Sequence, residues 1–381
     1  MRFSVFRLSL ALLSIAVIAS GAQAETVIEE QVLLPVVIDG RALHLDALIV
    51  RPAKPGRFPI ALIANGSAGP NVQARDMRPD WIMSWAHDFA HRGWLAAIVA
   101  WRGYGRSDGP IVDDAGTCDT PNARRYLEGH ADDLAAALEL LSQRPDVENG
   151  PALGIGDSIG GLSMLALAAR PNHRLDAVVN ISGGLYHDAK PFAPDPVCAS
   201  FEADVVGNLA QDGASFHGPT LWLYAENDPW FRPAWVARMR TAYVRAGGAA
   251  DFIEFPPFGT DGHQMFSDIE GKGPLLQEID GFLRRNGLPT WDDRRSAPLL
   301  SESIGAERDV VASYLQAKPT EKALVAPDRD GNLYWVSGWP TLEVAREKAL
   351  DACRKGTGGP CHVVLEDFDQ VAPLHQRATA N

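Results

Sequence analysis

Five apolar runs without polar alternation recur through the central part of the chain. They are FPIALIA at 58–64, WLAAIVAW at 94–101, PALGIG at 151–156, LDAVVNISG at 175–183 and TLWLYA at 220–225. Strands that are buried on both faces have this pattern, as in parallel sheets covered by helices. Stretches with helical periodicity lie near 76–92, 122–143, 159–170, 233–246 and 274–286. The alternation predicts an α/β fold with a mostly parallel sheet flanked by helices.

Two other segments belong to the predicted sheet domain, which spans 25–286. From Thr26 to Val50, apolar and polar residues alternate around Asp39-Gly40, which predicts an antiparallel hairpin at the entry to the sheet. Residues 184–217 are rich in Pro, Phe and Cys and are too long for a plain connection. We expect them to form a cap or lid insertion beside a functional site.

The chain changes character after Asn286. A polar stretch followed by a helical pattern predicts a linker and a helix over 287–320, and KALVA, LYWVSG and CHVVLED predict a small β-β-α-β module over 321–381. The module's DRDGN lacks the glutamate that closes an EF-hand, so it is predicted as a hairpin turn. Because the linker is poorly apolar, we expect an independent module and an active chain when it is cut near Thr290. The alternative is a module that packs over the cleft.

The N-terminal segment has the pattern of a secretory signal peptide. Arg2 and Arg7 precede an apolar run, and Ala22-Gln23-Ala24 forms an A-x-A site, so residues 1–24 are expected to be cleaved after Ala24. The run is too short to span a bilayer, which leaves an uncleaved anchor as the less favoured alternative. The expected location is the periplasm or the exterior of a bacterium.

The charge of the chain limits its partners. The formal net charge is −13, and removal of Arg2 and Arg7 with the leader makes it −15. Such a surface repels nucleic acid and anionic lipid, so neither nucleic acid nor a membrane is expected as a partner after cleavage. Oligomeric state stays open.

Four cysteines lie in the part of the chain that is expected to be exported. An even number in an oxidising compartment favours two disulfides. Cys353 and Cys361 are close enough in sequence to close a small ring, which leaves Cys118 to pair with Cys198. Free buried thiols are the alternative. Neither C-x-x-C nor H-E-x-x-H occurs, so no zinc site or other metal is expected, and no cofactor either.

One short motif carries the chemistry. Gly156-Asp157-Ser158-Ile159-Gly160 fits G-x-S-x-G and lies between a strand pattern and a helix pattern, as a nucleophile elbow requires. Gly156 and Gly160 are expected to be glycines because a side chain at either position would collide with the neighbouring strand or helix. The alternative is a serine in an ordinary glycine-rich turn, which would not need a strand directly before it and a helix directly after it.

A serine nucleophile needs a base and a carboxylate that orients the base. Asp228 follows the last apolar run, and His263 is the one histidine between that acid and the predicted linker. Glu226 is the rival acid, less favoured because it lies nearer the strand end. The other helical histidines, His87, His91 and His130, are expected at a surface or interface.

Acyl transfer also needs two N–H donors for the oxyanion. Ile159 follows the nucleophile, and the second donor is assigned to the backbone of Ser67 in NGSAGP. Asn65 and Asn180 begin glycosylation sequons, but both lie at predicted strand ends, so we expect both to be accidental and the source to be bacterial.

These motifs together resemble a known family. NGSAGP, WRGYGRSDG, GDSIGG, ENDPW and DGH occur in the order found in the α/β-hydrolase superfamily, most like its dienelactone hydrolase-like and acyl-esterase or peptidase branch. The resemblance covers about 27–286 and implies an α/β-hydrolase fold with Ser158 as nucleophile. True dienelactone hydrolases have a cysteine in that position, and Asn65 replaces a histidine often found before the oxyanion glycine.

The predicted function is hydrolysis of a carboxylic ester through an acyl-enzyme. A serine peptidase or amidase on the same fold is the runner-up, disfavoured because no propeller or jelly-roll pattern flanks the domain, and a catalytically retired binding protein is the third hypothesis. Aromatic residues beside the motif loops are expected either to line a pocket for a small-molecule ester or amide or to pack in the core. They are Trp101, Tyr104, Trp230 and Phe231.

Overall fold

The computed structural model describes residues 27–69, 72–112, 114–186, 198–290, 303, 305–317, 319–329, 331–367 and 369–374. The predicted signal peptide, much of the predicted linker and the middle of the predicted cap lie outside the described residues.

An eight-stranded sheet forms the centre of the larger domain. Its strands are β1 (Val27–Ile38), β2 (Arg41–Pro52), β3 (Ile60–Ala64), β4 (Leu95–Val99), β5 (Leu153–Asp157), β6 (Ala177–Ile181), β7 (Pro219–Ala225) and β8 (Ala249–Phe255). They lie in the order β1-β2-β4-β3-β5-β6-β7-β8. The pairs β1–β2 and β2–β4 are antiparallel, and the other pairs are parallel. The prediction of a mostly parallel sheet is confirmed.

Helices cover both faces of this sheet. In the described part of the domain they are α1 (Met83–His91), α2 (Ala123–Leu141), α3 (Ile159–Ala168), α4 (Ala199–Ser215), α5 (Pro233–Arg245) and α6 (Ile269–Arg285). Apolar side chains of α2 to α5 share one core with the sheet, and those of α1 and α6 share the other. Every residue of β3 and β4 is buried, because both faces are covered.

The entry hairpin turns on two residues with left-handed backbone. Asp39 has φ 52° and Gly40 has φ 72°, and Ile38 pairs directly with Arg41. A two-residue turn with positive φ at both central positions matches the twist of the flanking strands. The predicted hairpin therefore forms where Asp39-Gly40 indicated.

Two elements differ from the pattern-based expectation. Within the predicted cap, 199–215 forms the flanking helix α4, whose Phe201, Val205 and Leu209 recur at steps of four and are buried in the core. The pattern also missed β8, an edge strand whose residues alternate between more and less exposed. An edge strand lacks the continuous apolar run that marked the central strands.

The C-terminal module, which we define as the described residues from Ala306 to Leu374, contains its own sheet. Its elements are α7 (Ala306–Gln316), β9 (Ala323–Pro327), β10 (Tyr334–Val336), α8 (Leu342–Thr357), β11 (Cys361–Glu366) and β12 (Asp369–Gln370). The strands are antiparallel in the order β10-β9-β11-β12. Helix α7 belongs to the module because the Tyr314 hydroxyl donates to the carbonyls of Lys322 and Asp367, at 3.1 Å and 2.7 Å.

One disulfide links distant segments of the chain, and a second closes a short loop. Cys118 bonds Cys198 across 80 residues, and Cys353 bonds Cys361 across 8. Cys353 lies on the buried face of α8. Among the described helices, none combines the length and apolar character needed to cross a membrane.

The C-terminal module packs on α1 through buried polar contacts. Asp88 accepts hydrogen bonds from the N–H and hydroxyl of Thr320, at 2.6 Å and 2.7 Å, and also pairs with Lys272 of α6. His87 lies 2.5 Å from Glu321 and 2.8 Å from Glu29. Burial lowers the pKa of His87, but these two carboxylates outweigh it and raise the pKa to about 9. The composition of the linker did not predict this interface.

Candidate active site

Ser158 is the single residue between β5 and α3, and its backbone is strained. It has φ 55° and ψ −125°, a region that residues other than glycine occupy only when the surrounding structure holds them there. Its N–H donates to Ile181 O at 2.9 Å, and its carbonyl accepts from Gly161 N at 3.0 Å. This turn has the geometry of a nucleophile elbow, with Ser158 at the wall of a cavity.

Glycines allow the elbow to pack. A Cβ at Gly156 would lie 2.2 Å from the carbonyl of Gly160, and one at Gly160 would lie 2.6 Å from the carbonyl oxygen of Asn65. A Cβ at Gly161 would lie 2.0 Å from Asn180 Oδ1. The first turn of α3 can therefore approach β5 and the end of β3 only without side chains at these positions.

Asp228 and His263 form a hydrogen-bonded pair beside the same cavity. His263 Nδ1 lies 2.8 Å from Asp228 Oδ2, while Asp228 Oδ1 accepts the backbone N–H groups of Trp230 and Phe231 at 2.8 Å and 2.9 Å. Asp228 is buried and held by three bonds, so it can fix the orientation and tautomer of the imidazole. Ser158 and His263 line the same cavity, although no hydrogen bond joins their side chains in the described structure.

The electrostatics of the site involve a second carboxylate, Asp157. Burial lowers the pKa of His263, but the hydrogen bond and charge of Asp228, with smaller effects of Asp157 and Asp261, raise it above its usual value. Burial raises the pKa of Asp157 to about 7, although the nearby His263 opposes this shift. Asp157 Oδ1 is buried without a hydrogen bond from any described residue. The charge on each group therefore influences the titration of the other.

The loop after β3 approaches the nucleophile closely. A Cβ at Gly66 would lie 2.8 Å from Ser158 Cβ, so this loop reaches the elbow only with glycine there. Ser67 and Ile159 both line the cavity, and no described residue accepts a hydrogen bond from either backbone N–H. Two free donors near a nucleophile are what an oxyanion hole requires. The next residue, Ala68, donates its N–H to the Tyr104 hydroxyl at 3.3 Å, which anchors the loop.

The cavity is large and receives walls from both domains. Its volume is about 1080 Å³. Its lining includes aromatic residues of the sheet domain and a segment of the module, among them Tyr186, Trp230, Phe231, Trp81, Trp85, Asp268, Lys272, Gly338, Trp339 and Pro340. Gly338, Trp339 and Pro340 belong to the C-terminal module. The module therefore supplies part of the wall, as in the alternative expectation that it packs over the cleft.

Two features decide the fold. One is the strained serine elbow at the carboxyl end of a parallel sheet, and the other is the Asp–His pair beside the same cavity, which follows later in the chain. The protein has the α/β-hydrolase fold. In agreement, the sequence profile of the X-Pro dipeptidyl-peptidase (S15) family matches residues 39–191. No curated protein matches the sequence.

Several solved structures resemble this protein at low sequence identity. A Klebsiella pneumoniae protein named after dienelactone hydrolases is 17% identical, with a TM-score of 0.46, over 68% of this chain and 99% of that one. An acetyl xylan esterase from Paenibacillus sp. R4 is 17% identical, with a TM-score of 0.49, over 69% and 86%. The Pyrococcus horikoshii acylaminoacyl peptidase is 14% identical, with a TM-score of 0.49, over 76% of this chain and 44% of that one.

Two of the four predicted pocket residues lie outside the cavity lining. Trp230 and Phe231 line the cavity, whereas Trp101 and Tyr104 are buried outside its lining. Trp101 packs edge-on against His130, with ring centroids 4.4 Å apart, because the segment after β4 turns under α2. Trp101 therefore packs in the core, which is the alternative that the sequence left open. Tyr104 acts on the site indirectly, through Ala68.

Among the other side chains that the sequence analysis named, His130 differs from its expected place. Glu226, the rival acid, is exposed, and its backbone N–H bonds Phe255 O at 2.9 Å. His130 is buried in the core, not at a surface, whereas His87 and His91 lie at the interface with the module. Sequence reasoning missed Asp157 as a titrating neighbour of His263, although it directly precedes Ser158. It also missed Trp339, for which the local sequence carries no signal.

Proposed function

We propose that this protein is a serine hydrolase that cleaves a carboxylic ester through an acyl-enzyme. One observation carries the proposal: Ser158, in a strained elbow, shares a cavity with His263, whose Nδ1 lies 2.8 Å from the buried Asp228. A strained serine beside an oriented imidazole is the arrangement needed to activate a hydroxyl that is otherwise a weak nucleophile.

The proposed reaction has two halves. In the first, Ser158 Oγ attacks the ester carbonyl while His263 Nε2 takes the hydroxyl proton, and the amides of Ser67 and Ile159 stabilise the oxyanion. His263 then gives the proton to the departing alcohol, which leaves an acyl group on Ser158. In the second half, His263 removes a proton from water and the hydroxide attacks the acyl carbonyl. His263 then returns that proton to Ser158 Oγ as the acid departs, which restores both side chains.

The aromatic residues of the cavity wall favour substrates that have a bulky apolar or aromatic group. Tyr186 stacks on Phe231 with ring centroids 5.4 Å apart, and Phe231 lies edge-on to the His263 ring at 5.5 Å. Such rigid aromatic surfaces bind apolar groups with little loss of side-chain freedom. We propose that a small-molecule ester places its larger apolar group along the wall that includes Trp81 and Trp339.

Labelling by a fluorophosphonate probe tests the serine mechanism. The wild type should be labelled and Ser158→Ala should not. Ser163→Ala is the matched control, because its hydroxyl donates to Ile159 O at 2.8 Å inside α3 and does not line the cavity. If Ser158→Ala retains labelling and ester turnover, the mechanism is wrong. A folded wild type that neither reacts nor turns over esters would favour a binding protein on the same fold.

A peptidase is the second candidate, and the match to the X-Pro dipeptidyl-peptidase family over 39–191 favours it. The same acyl-enzyme chemistry cleaves amides when the leaving amine is protonated. Comparing kcat/KM for p-nitrophenyl esters and X-Pro p-nitroanilides distinguishes the two. We expect esters to be preferred, and a higher kcat/KM for the anilides would reverse the assignment.

Export is also a proposal, and the two disulfides support it because disulfides persist in oxidising compartments. We propose a periplasmic or secreted protein whose leader is removed after Ala24. N-terminal sequencing of the protein from a periplasmic fraction tests this, and an intact Met1 on cytoplasmic protein would contradict it.

A further inference from the structure

Three ionisable side chains from separate segments meet where the C-terminal module packs on the sheet domain. They are His91 of α1, Glu321 before β9 and Asp367 after β11. One ligand atom from each lies within 4.8 Å of the other two. Their side chains are 10%, 3% and 3% exposed, so water has little access to the cluster.

The spacing of these atoms suits a small divalent ion. His91 Nε2 lies 3.3 Å from Asp367 Oδ2 and 3.6 Å from Glu321 Oε1. A tetrahedral zinc ion with bonds of about 2.0–2.2 Å separates its ligand atoms by about 3.3–3.6 Å. One imidazole and two carboxylates leave a fourth position for water.

One atom of the cluster points independently to a ligand. Asp367 is 2% exposed, and its Oδ2 has no hydrogen bond to any described residue. Its other oxygen is already used, because Oδ1 accepts the backbone N–H of Lys322 at 3.1 Å. The Lys322 ammonium donates to the carbonyls of Tyr314 and Ala317 at 2.9 Å and 2.7 Å. A buried carboxylate oxygen without a hydrogen bond is costly unless a cation compensates it. In the metal-free protein His91, whose Nε2 lies 3.3 Å away, supplies that charge when protonated, and a metal ion would take the place of its proton.

A neighbouring histidine, His87, fixes one of the three proposed ligands, Glu321. His87 lies one helical turn before His91 and bridges Glu321 and Glu29, at 2.5 Å and 2.8 Å. It therefore holds the Glu321 carboxylate in place from α1 of the sheet domain. Carboxylates that bind a metal are typically held by outer hydrogen-bond partners of this kind.

We propose that His91, Glu321 and Asp367 form a zinc-binding site that joins the C-terminal module to the sheet domain. No H-E-x-x-H or C-x-x-C pattern marks it, because its ligands come from three distant segments. Imidazole together with carboxylates favours a transition ion over Ca²⁺ or Mg²⁺, which prefer oxygen ligands. The site lies apart from Ser158 and His263 and is not assigned a part in turnover.

The proposed zinc site is connected to the cavity wall through the backbone of Thr320 and Glu321. The carbonyl of Glu321 accepts the N–H of Trp339 at 3.4 Å, and that of Thr320 accepts the N–H of Gly338 at 2.9 Å. An ion on the Glu321 carboxylate would therefore hold the same short segment that positions Trp339.

Metal analysis of the untagged full chain tests the proposal. After treatment with EDTA, equilibration with Zn²⁺ and removal of free ion, we expect one zinc per wild-type chain and a Tm that rises with zinc concentration. Asp367→Asn and His91→Gln should each weaken zinc binding at least tenfold. Asp328→Asn is the matched control, since it alters another His–Asp pair of the module, with His362 at 2.8 Å, and should keep one zinc.

Further measurements keep the test decisive. His263→Ala should also keep one zinc, which separates this site from the catalytic cluster. If the ligand variants fail to fold, Co²⁺ bound to the wild type should give the intense visible bands of four-coordinate nitrogen and oxygen ligation. The proposal is overturned if the wild type retains no zinc and its Tm ignores the ion, if Asp367→Asn and His91→Gln bind zinc normally, or if cobalt shows only weak octahedral bands.

Discussion

Asp88 of α1 accepts two hydrogen bonds from Thr320, one from its backbone N–H at 2.6 Å and one from its hydroxyl at 2.7 Å. Asp88 has no exposed surface, so these bonds join the two domains out of contact with water. Thr320 and the adjacent Glu321 also hold Gly338 and Trp339 through their carbonyls. The contact that docks the module thus also shapes the cavity.

Removal of the module should therefore damage the sheet domain. In a chain ending at Thr290, Asp88 keeps its ion pair with Lys272 but loses both hydrogen bonds from Thr320, and hydrogen bonds to a charged group contribute about 1.5–3 kcal/mol each. We expect a lower Tm and loss of turnover of bulky esters, with turnover of p-nitrophenyl acetate retained. Thermal unfolding and kcat/KM on both esters measure this. Unchanged Tm and unchanged ester preference would restore the expectation of an independent module.

Trp339→Ala should change substrate selection without changing the chemistry. Loss of one aromatic wall contact is worth about 1–3 kcal/mol, so kcat/KM for a bulky aromatic ester should fall at least about tenfold while that for p-nitrophenyl acetate stays within about twofold. Trp335→Ala is the control, because Trp335 packs edge-on against Tyr314 inside the module, with ring centroids 5.9 Å apart. Equal effects of the two variants on both esters would mean that Trp339 has only a structural role.

Asp228→Asn and Glu226→Gln distinguish the two candidate acids. Asp228→Asn should lower kcat by about ten-thousand-fold, as in a comparable triad, because the amide cannot hold the correct imidazole tautomer. Glu226→Gln should stay near the wild-type rate, since its side chain is exposed. Steady-state kinetics of both variants decide the matter, and the reverse ranking would reassign the acid to Glu226.

Activity should rise with pH as His263 loses its proton, because the neutral imidazole is the base. The raised pKa of His263 places the midpoint of kcat/KM above 6.5. Asp157→Asn removes a negative charge that raises this pKa, so the midpoint should move to lower pH. Asp261→Asn should move it the same way but less, because Asp261 contributes less to the pKa of His263. A midpoint unmoved by Asp157→Asn would show that the two groups do not titrate together.

The two disulfides should contribute unequally to stability. Loop-closure entropy predicts about 4.5 kcal/mol for a loop of 80 residues and about 2.5 kcal/mol for one of 8. Replacing Cys118 and Cys198 by serine should therefore lower the free energy of unfolding more than replacing Cys353 and Cys361. Urea denaturation of both double variants checks the ranking, and an equal or reversed order would show that loop entropy is not the main contribution.

The sequence by itself determined the parts of this protein that depend on short-range order. Continuous apolar runs marked the central strands because both of their faces are covered, and Asp39-Gly40 marked the hairpin because its two residues adopt positive φ. The elbow around Ser158 was equally local, since a strand, a tight turn and a helix must follow one another directly. The proposed roles of Ser158, Asp228 and His263 stay predictions until kinetics test them.

Only the tertiary structure decided which distant segments meet. Asp88 and Thr320 are 232 positions apart, and nothing in either local pattern indicates that they bond. The same holds for Trp339 in the cavity wall, for Trp101 turned into the core beneath α2, and for His91 beside Glu321 and Asp367. The physical reason is that such contacts depend on how whole domains and layers pack, whereas hydrophobic periodicity records only which face of each element is buried.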